Sequence, residues 1–212
     1  MVTLLQRLNE EIAAVVAAAG RSLVKIGQAR GNGAGSGVIL QGDGLILTNA
    51  HVIRPGPVTI TLADERSLPA KLLVADPALD LAVLAVAAAS LAAIELGDSK
   101  KLRPGELVFA LGHPWGVPGA VSAGSVIAVG RPPEIPRLGR DFIQVSLQLR
   151  PGHSGGPMID AQGRLVGLNT MITGPEVGLA VPVHLIKAFL HQHLGDRTTS
   201  RPLGPNPAIR TL

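Results

Sequence analysis

"RPGHSGGPMIDAQGRLVGLNT", residues 150–170, sets Ser154 in a glycine-rich turn and then runs on through two short apolar stretches. Two settings for a reactive serine fit its first half. Gly152-His153-Ser154-Gly155-Gly156 matches the G-x-S-x-G elbow, where the serine stands on a sharp turn between a strand and a helix. Read instead as Gly152-x-Ser154-Gly155-Gly156-Pro157, it matches a serine carried on a loop between strands of an all-β molecule. The second half separates the two. "PMIDAQGRLVGLNT" reads as strand, turn, strand, because Asp160 to Gly163 punctuate two apolar runs where an elbow needs a helix. Asp160 or Asp196 with His184, His191 or His193 are downstream candidates for the acid and the His of an elbow. The alternation of strands and helices that such a fold requires is nevertheless absent along the chain.

Outward from this stretch the texture is the same. From "SLVKIGQ" onward, short apolar runs are cut by Gly, Pro, Asn and Asp at close intervals, the mark of a β-sandwich or barrel. Strands are predicted at 22–27, 37–41, 45–48, 57–62, 68–75, 81–86, 105–111, 121–129, 142–148, 157–159, 164–170 and 177–181. Leu4, Leu8, Ile12, Val15, Val16 and Ala19 recur at helical spacing before Gly20, so an amphipathic helix precedes them. "PVHLIKAFLHQHL" forms a closing helix with Pro182 near its start, and 195–212 reads as a flexible tail. Glycine-rich "GNGAGSG", 31–37, fits neither phosphate-binding pattern and leads into a strand, so it reads as a flexible hairpin loop.

Composition narrows the function. The 212 residues are 46% apolar, with three Phe, one Trp and no Tyr, so the core is built from Val, Leu, Ile and Ala and base stacking is disfavoured. A net charge of +4 is spread thinly, its densest cluster being "SKKLRPGE" in a loop, which argues for a solvated surface and against a nucleic-acid partner. With no Cys there is no disulfide frame, thiol nucleophile or thiolate metal site. His191 and His193, two apart on a helix, point to different faces, and neither a metal nor another cofactor is expected. The uncharged run at 81–94 is shorter than the roughly 20 residues that cross a bilayer. Glu10 and Glu11 stand where a secretory leader carries positive charge, so as written the chain reads as cytoplasmic.

The all-β reading needs a His and an Asp ahead of the serine, each at a strand end, and both are present. "LILTNAHVI" puts His51 just after a strand and "DPALDLAVL" puts Asp80 just before one. A serine hydroxyl is a poor nucleophile at its free pKa. A neutral imidazole on His51 would take its proton and return it to a leaving amine. Asp80 would hold the other ring nitrogen, fixing the tautomer and stabilising the imidazolium. Gly152 lets the turn aim backbone N–H groups of the Gly152–His153–Ser154 segment at a developing oxyanion, each donor contributing about 3 kcal/mol in comparable sites.

These segments, with "GSGVIL", "LGDSKKLRPGELVFALGHPWG" and "GLAVPVHLIKAFL", resemble the HtrA/Deg family of trypsin-like serine proteases from about residue 20 to 190. The resemblance implies two perpendicular six-stranded β-barrels, approximately 21–110 and 111–194, following an N-terminal helix at 1–20, with the site in the cleft between them. It implies cleavage of unfolded or misfolded proteins. Substrate-binding positions would be Gln148, Leu168, Asn169, Thr170 and Met171. Members usually continue into PDZ domains, a module not expected within these 212 residues, and often form trimers through N-terminal aromatic residues, of which residues 1–30 have none. The family's exported members favour a periplasmic or other extracytoplasmic location. Because "VSLQLRPGH", 145–153, holds no acid, cleavage after small or medium apolar residues is expected, with Arg150 leaving an acidic preference as the alternative. His153 and His113 replace the family's usual Asn. His113 is expected to be structural, and His153 either packs or makes the oxyanion loop sensitive to pH near neutrality. A chaperone-like binding module with a resting protease site is the competing function.

Overall fold

The computed structural model describes residues 3–28, 35–132, 139–174 and 176–195. Helix α1 (Leu4–Gly20) is followed by β1 (Leu23–Gln28), β2 (Gly35–Gln41), β3 (Leu45–Thr48), β4 (Val58–Thr61), β5 (Ser67–Asp76) and β6 (Leu81–Val86). The second half holds β7 (Leu107–Gly112), β8 (Ala120–Gly130), β9 (Phe142–Ser146), β10 (Pro157–Asp160), β11 (Leu165–Gly174), β12 (Val177–Pro182) and helix α2 (Val183–Leu194). Each set of six strands closes on itself, in the orders β1-β2-β3-β6-β5-β4 and β10-β11-β12-β9-β8-β7. The pairings between these twelve strands are antiparallel; β1–β4 and β7–β10 close the two barrels. All twelve expected strands are present. The predicted tail lies outside the described residues from 196 onward, as do residues 31–34 of the glycine-rich segment.

Successive residues of a strand point to opposite faces, and in β3, β6 and β10 both faces are buried or nearly so. Val24, Ile39, Ile46 and Leu84 fill the interior of the first barrel. Their neighbours Leu23, Val38, Leu45, Leu47 and Val83 instead join Phe109, Leu111, Ile159, Leu168 and Val181 in a core shared by the two barrels. In the second barrel Val108, Ala110, Met158, Val166 and Ala180 face inward. Double-sided burial is why "LILT" and "LAVLAV" are unbroken apolar runs without alternation. It also fixes the barrels against each other, and with them the loops that meet at their junction.

The helices close the shared core. Thr3 accepts from the Gln6 N–H and Gln6 returns the bond, a capping box that starts α1. Ala19 is buried with Ile12, Val15 and Val16 packed behind it, while Leu4, Leu5 and Leu8 of the first turns are exposed. Helix α2 begins at Pro182, which has no side-chain cap to offer; the fully buried Ser99 hydroxyl accepts the His184 N–H at 3.1 Å instead. Strand β2 starts two residues earlier than expected because Gly35 and Ser36 pair with Ile26 and Lys25 of β1. Those two residues are therefore sheet and not hairpin loop.

Candidate active site

Strand β3 ends at Thr48, and Asn49 caps a single 3-10 turn, Ala50–Val52, which sets His51 at the barrel rim with its side chain half exposed. Asp80 immediately precedes β6 in the left-handed region, at φ 53°, a conformation that Asp tolerates better than most residues. The buried Asn49 side chain holds it there, Nδ2 donating to the Asp80 carbonyl at 2.9 Å. The carboxylate accepts the His51 N–H at 3.1 Å and His51 Nδ1 at 2.9 and 3.0 Å. A third donor is the Thr170 hydroxyl, 2.6 Å from Oδ2. Burial pushes the Asp80 pKa up, but the hydrogen bonds from His51 and Thr170 outweigh it and hold the group below the usual carboxylate value. An ionised Asp80 only accepts, so His51 carries its proton on Nδ1 and leaves a lone pair on Nε2.

Thr170 reaches Asp80 because of a β-bulge. Asn169 pairs with Ala180 and Met171 with Leu179, so Thr170 is an extra residue that the ladder skips and re-aims. Its carbonyl accepts the Ser154 hydroxyl at 3.1 Å. Thr170 therefore links the Ser154 loop to the His51–Asp80 pair.

The Ser154 loop is held from both barrels. The Ser154 carbonyl accepts the Ser36 N–H at 2.9 Å, and Gly155 N–H donates to the Asn169 carbonyl at 2.9 Å. Gly152 and Gly155 have φ of 106° and 82°, open to glycine at little cost. The His153 N–H is committed to the Arg150 carbonyl at 2.9 Å. Among the described residues, the N–H groups of Gly152 and Ser154 donate to nothing, which leaves two donors without a partner in the Ser154 turn. Of the three oxyanion residues read from the sequence, His153 thus contributes no donor.

The two unusual histidines are both interior. His153 is 2% exposed, its Nδ1 accepts the Arg150 N–H at 3.1 Å, and burial pushes its pKa down. A switch near neutrality from this imidazole does not fit; the packing reading does, with Gly112 leaving room for the ring. His113 is buried too. Its pKa is pushed down to about 4 by burial, with Lys25 and His153 adding to the shift.

The residues read as substrate-binding divide. Gln148 is exposed and accepts from the Arg150 guanidinium at 3.0 Å, and that guanidinium lies 4.9 Å over the Trp115 ring. Met171 is half-buried beside the exposed Ile172. Leu168 is fully buried in the shared core, and Asn169 is fully buried with Nδ2 donating to the carbonyls of Leu111 and Pro157. Neither side chain faces a cleft, because both precede the bulge that turns the strand outward. The Thr170 hydroxyl serves Asp80. Asn49 was not among the expected site residues, although a polar residue between a fully buried strand and a histidine marks it. Among the described residues, no group of His, Asp and Glu side chains is placed to hold a metal ion.

A model of the trypsin-like peptidase domain matches residues 35–168. A putative serine protease, HhoB, from Synechocystis is 40% identical over 160 residues, covering 73% of this chain and 38% of the relative. A probable periplasmic serine endoprotease, DegP-like, from Marinomonas is 40% identical over 177 residues, covering 79% and 37%. The chain thus spans less than two-fifths of the length of these relatives. Among solved structures, the HtrA-type protease AlgW with a tripeptide superposes with a TM-score of 0.79 at 34% identity, covering 85% of this chain and 62% of that one. AlgW with a decapeptide gives 0.78 at 29%, covering 86% and 67%.

Proposed function

The chain belongs to the trypsin-like serine peptidases of the HtrA/Deg family, and on that premise we propose that it is a serine endopeptidase working through Ser154, His51 and Asp80. The observation that carries the reading is the run of contacts from His51 through Asp80 and Thr170 to Ser154, beside two unbonded N–H groups. His51 Nε2 removes the Ser154 proton as Oγ bonds to the substrate carbonyl carbon. The carbonyl oxygen becomes an anion that the N–H groups of Gly152 and Ser154 stabilise. His51 then gives its proton to the leaving amine as the peptide C–N bond breaks, and water releases the acyl group by the reverse roles. For its proton to pass to His51, the Ser154 hydroxyl must leave the Thr170 carbonyl, which accepts it at 3.1 Å.

The substrates we propose are unfolded or misfolded polypeptides cut after small or medium apolar residues. No carboxylate lies in 145–153 to select Lys or Arg, and Met171 and Ile172 present apolar surface one and two residues after Thr170. Arg150 is occupied by Gln148 and Trp115, which weakens the case for an acidic preference. An extracytoplasmic site of action follows the relatives named as periplasmic. Peptides differing only in Val, Lys or Glu at the cleavage position test the specificity. Val must lead; a lead for Glu would assign the pocket to Arg150.

A further inference from the structure

Ser36 has a hydroxyl that nothing in the proteolytic chemistry uses, yet it is fully buried and fully bonded. It stands on β2 of the first barrel, and its partners are in the second. Oγ lies 2.7 Å from the Gly152 carbonyl, 3.0 Å from the His113 N–H and 3.1 Å from His113 Nδ1. One hydroxyl has one proton and two lone pairs. A carbonyl can only accept, so the proton goes to Gly152. The two lone pairs then take the His113 N–H and Nδ1–H, which assigns the His113 tautomer. The Gly152 carbonyl also accepts the His113 N–H at 3.1 Å, so two donors pin it.

That carbonyl belongs to the peptide joining Gly152 to His153, which lies between the two free N–H groups. A peptide is planar, so fixing its C=O fixes the plane from which Gly152 and Ser154 leave in either direction. The packing around it is tight. A Cβ on Gly152 would strike the His113 carbonyl, and one on Gly155 would strike the Ser36 carbonyl and the Thr48 hydroxyl.

We propose that Ser36, with His113, is a positioning residue for the oxyanion site, through which the first barrel sets the orientation of donors carried by the second. This rests on the endopeptidase reading and adds a role to it. If Ser36 holds the donors, its loss weakens transition-state binding and leaves ground-state binding alone. Donor placement is worth up to 10²- to 10³-fold per donor, so Ser36→Ala is expected to lower kcat per titrated site by about 10- to 50-fold.

The test compares Ser36→Ala with Thr48→Val. The Thr48 hydroxyl makes an equally buried bond, 2.7 Å to the Ser36 carbonyl, without touching the Gly152 peptide. For Ser36→Ala, KM stays within twofold while affinity for a peptide boronate, which binds as a tetrahedral adduct, falls by the same factor as kcat. For Thr48→Val the melting temperature drops and kcat per titrated site holds. Equal kcat for Ser36→Ala and wild type, or a boronate affinity that does not follow kcat, overturns the role. Should Ser36→Ala not fold, Ser36→Thr takes its place: it keeps the hydroxyl and must keep kcat. If wild type cleaves nothing, the endopeptidase reading fails by itself. Ser36 is then judged by the amide resonances of Gly152 and Ser154, which must shift in Ser36→Ala and which, unshifted, refute it.

Discussion

The Thr170 hydroxyl donates to Asp80 Oδ2 at 2.6 Å, the shortest of the bonds around that carboxylate, and it does so from a bulge contributed by the opposite barrel. Three donors therefore converge on one acid, two from His51 and one from across the barrel junction.

Thr170→Val keeps the shape of the side chain and removes the bond. A hydrogen bond to a charged group contributes roughly 1.5–3 kcal/mol. The carboxylate keeps its His51 partners, so the loss shows in how firmly it holds the imidazole. We expect kcat to fall about tenfold with KM little changed, in casein or peptide assays normalised by active-site titration.

Asp80→Asn tests the tautomer directly. Asn also tolerates the left-handed backbone at this position, so the fold is retained. An amide can donate to Nδ1 and strand the proton on Nε2, where the base should be. A loss of about 10⁴-fold in kcat is expected. A loss below tenfold would remove Asp80 from the mechanism.

Acid should destabilise the protein through His113. Its folded pKa of about 4 lies below the ordinary histidine value of 6.5, so the unfolded chain binds more protons between those limits. Stability therefore rises with pH across that window and is lost as pH falls from about 6.5 to about 4, by about 3 kcal/mol from this group. The His153 shift has the same sign. Melting temperature measured against pH should decline through that window, and His113→Asn should flatten the decline.

Much of this was legible in the residues. Turns such as "QGDG" and "DAQG" between apolar runs located the strands, and the barrel positions of His51, Asp80 and Ser154 followed from their places at strand ends. What the pattern concealed was side-chain direction. Leu168, Asn169 and Thr170 are consecutive and read alike, but a bulge separates the first two, turned into the core, from the third, turned to Asp80. Ser36 was hidden differently. In "GNGAGSG" its neighbours suggest a loop, whereas its partners lie 77 and 116 residues away, beyond the reach of any local pattern.

Gly155→Ala should fail outright. The residue has φ of 82°, and an added Cβ would meet the Ser36 carbonyl and Thr48 hydroxyl on the facing barrel. Neither is the free end of a flexible side chain. We expect a loss of at least about 3 kcal/mol in denaturant unfolding, or no soluble protein.

The proposed proteolysis requires Ser154 to be an activated nucleophile beside a formed oxyanion site. Labelling of wild type and Ser154→Ala with a fluorophosphonate probe, alongside casein digestion, tests it most directly. Wild type is expected to be labelled and to cleave casein, and Ser154→Ala to do neither. Absence of both from folded wild type, with aggregation of a client protein still suppressed, would contradict it and make the chain a binding module.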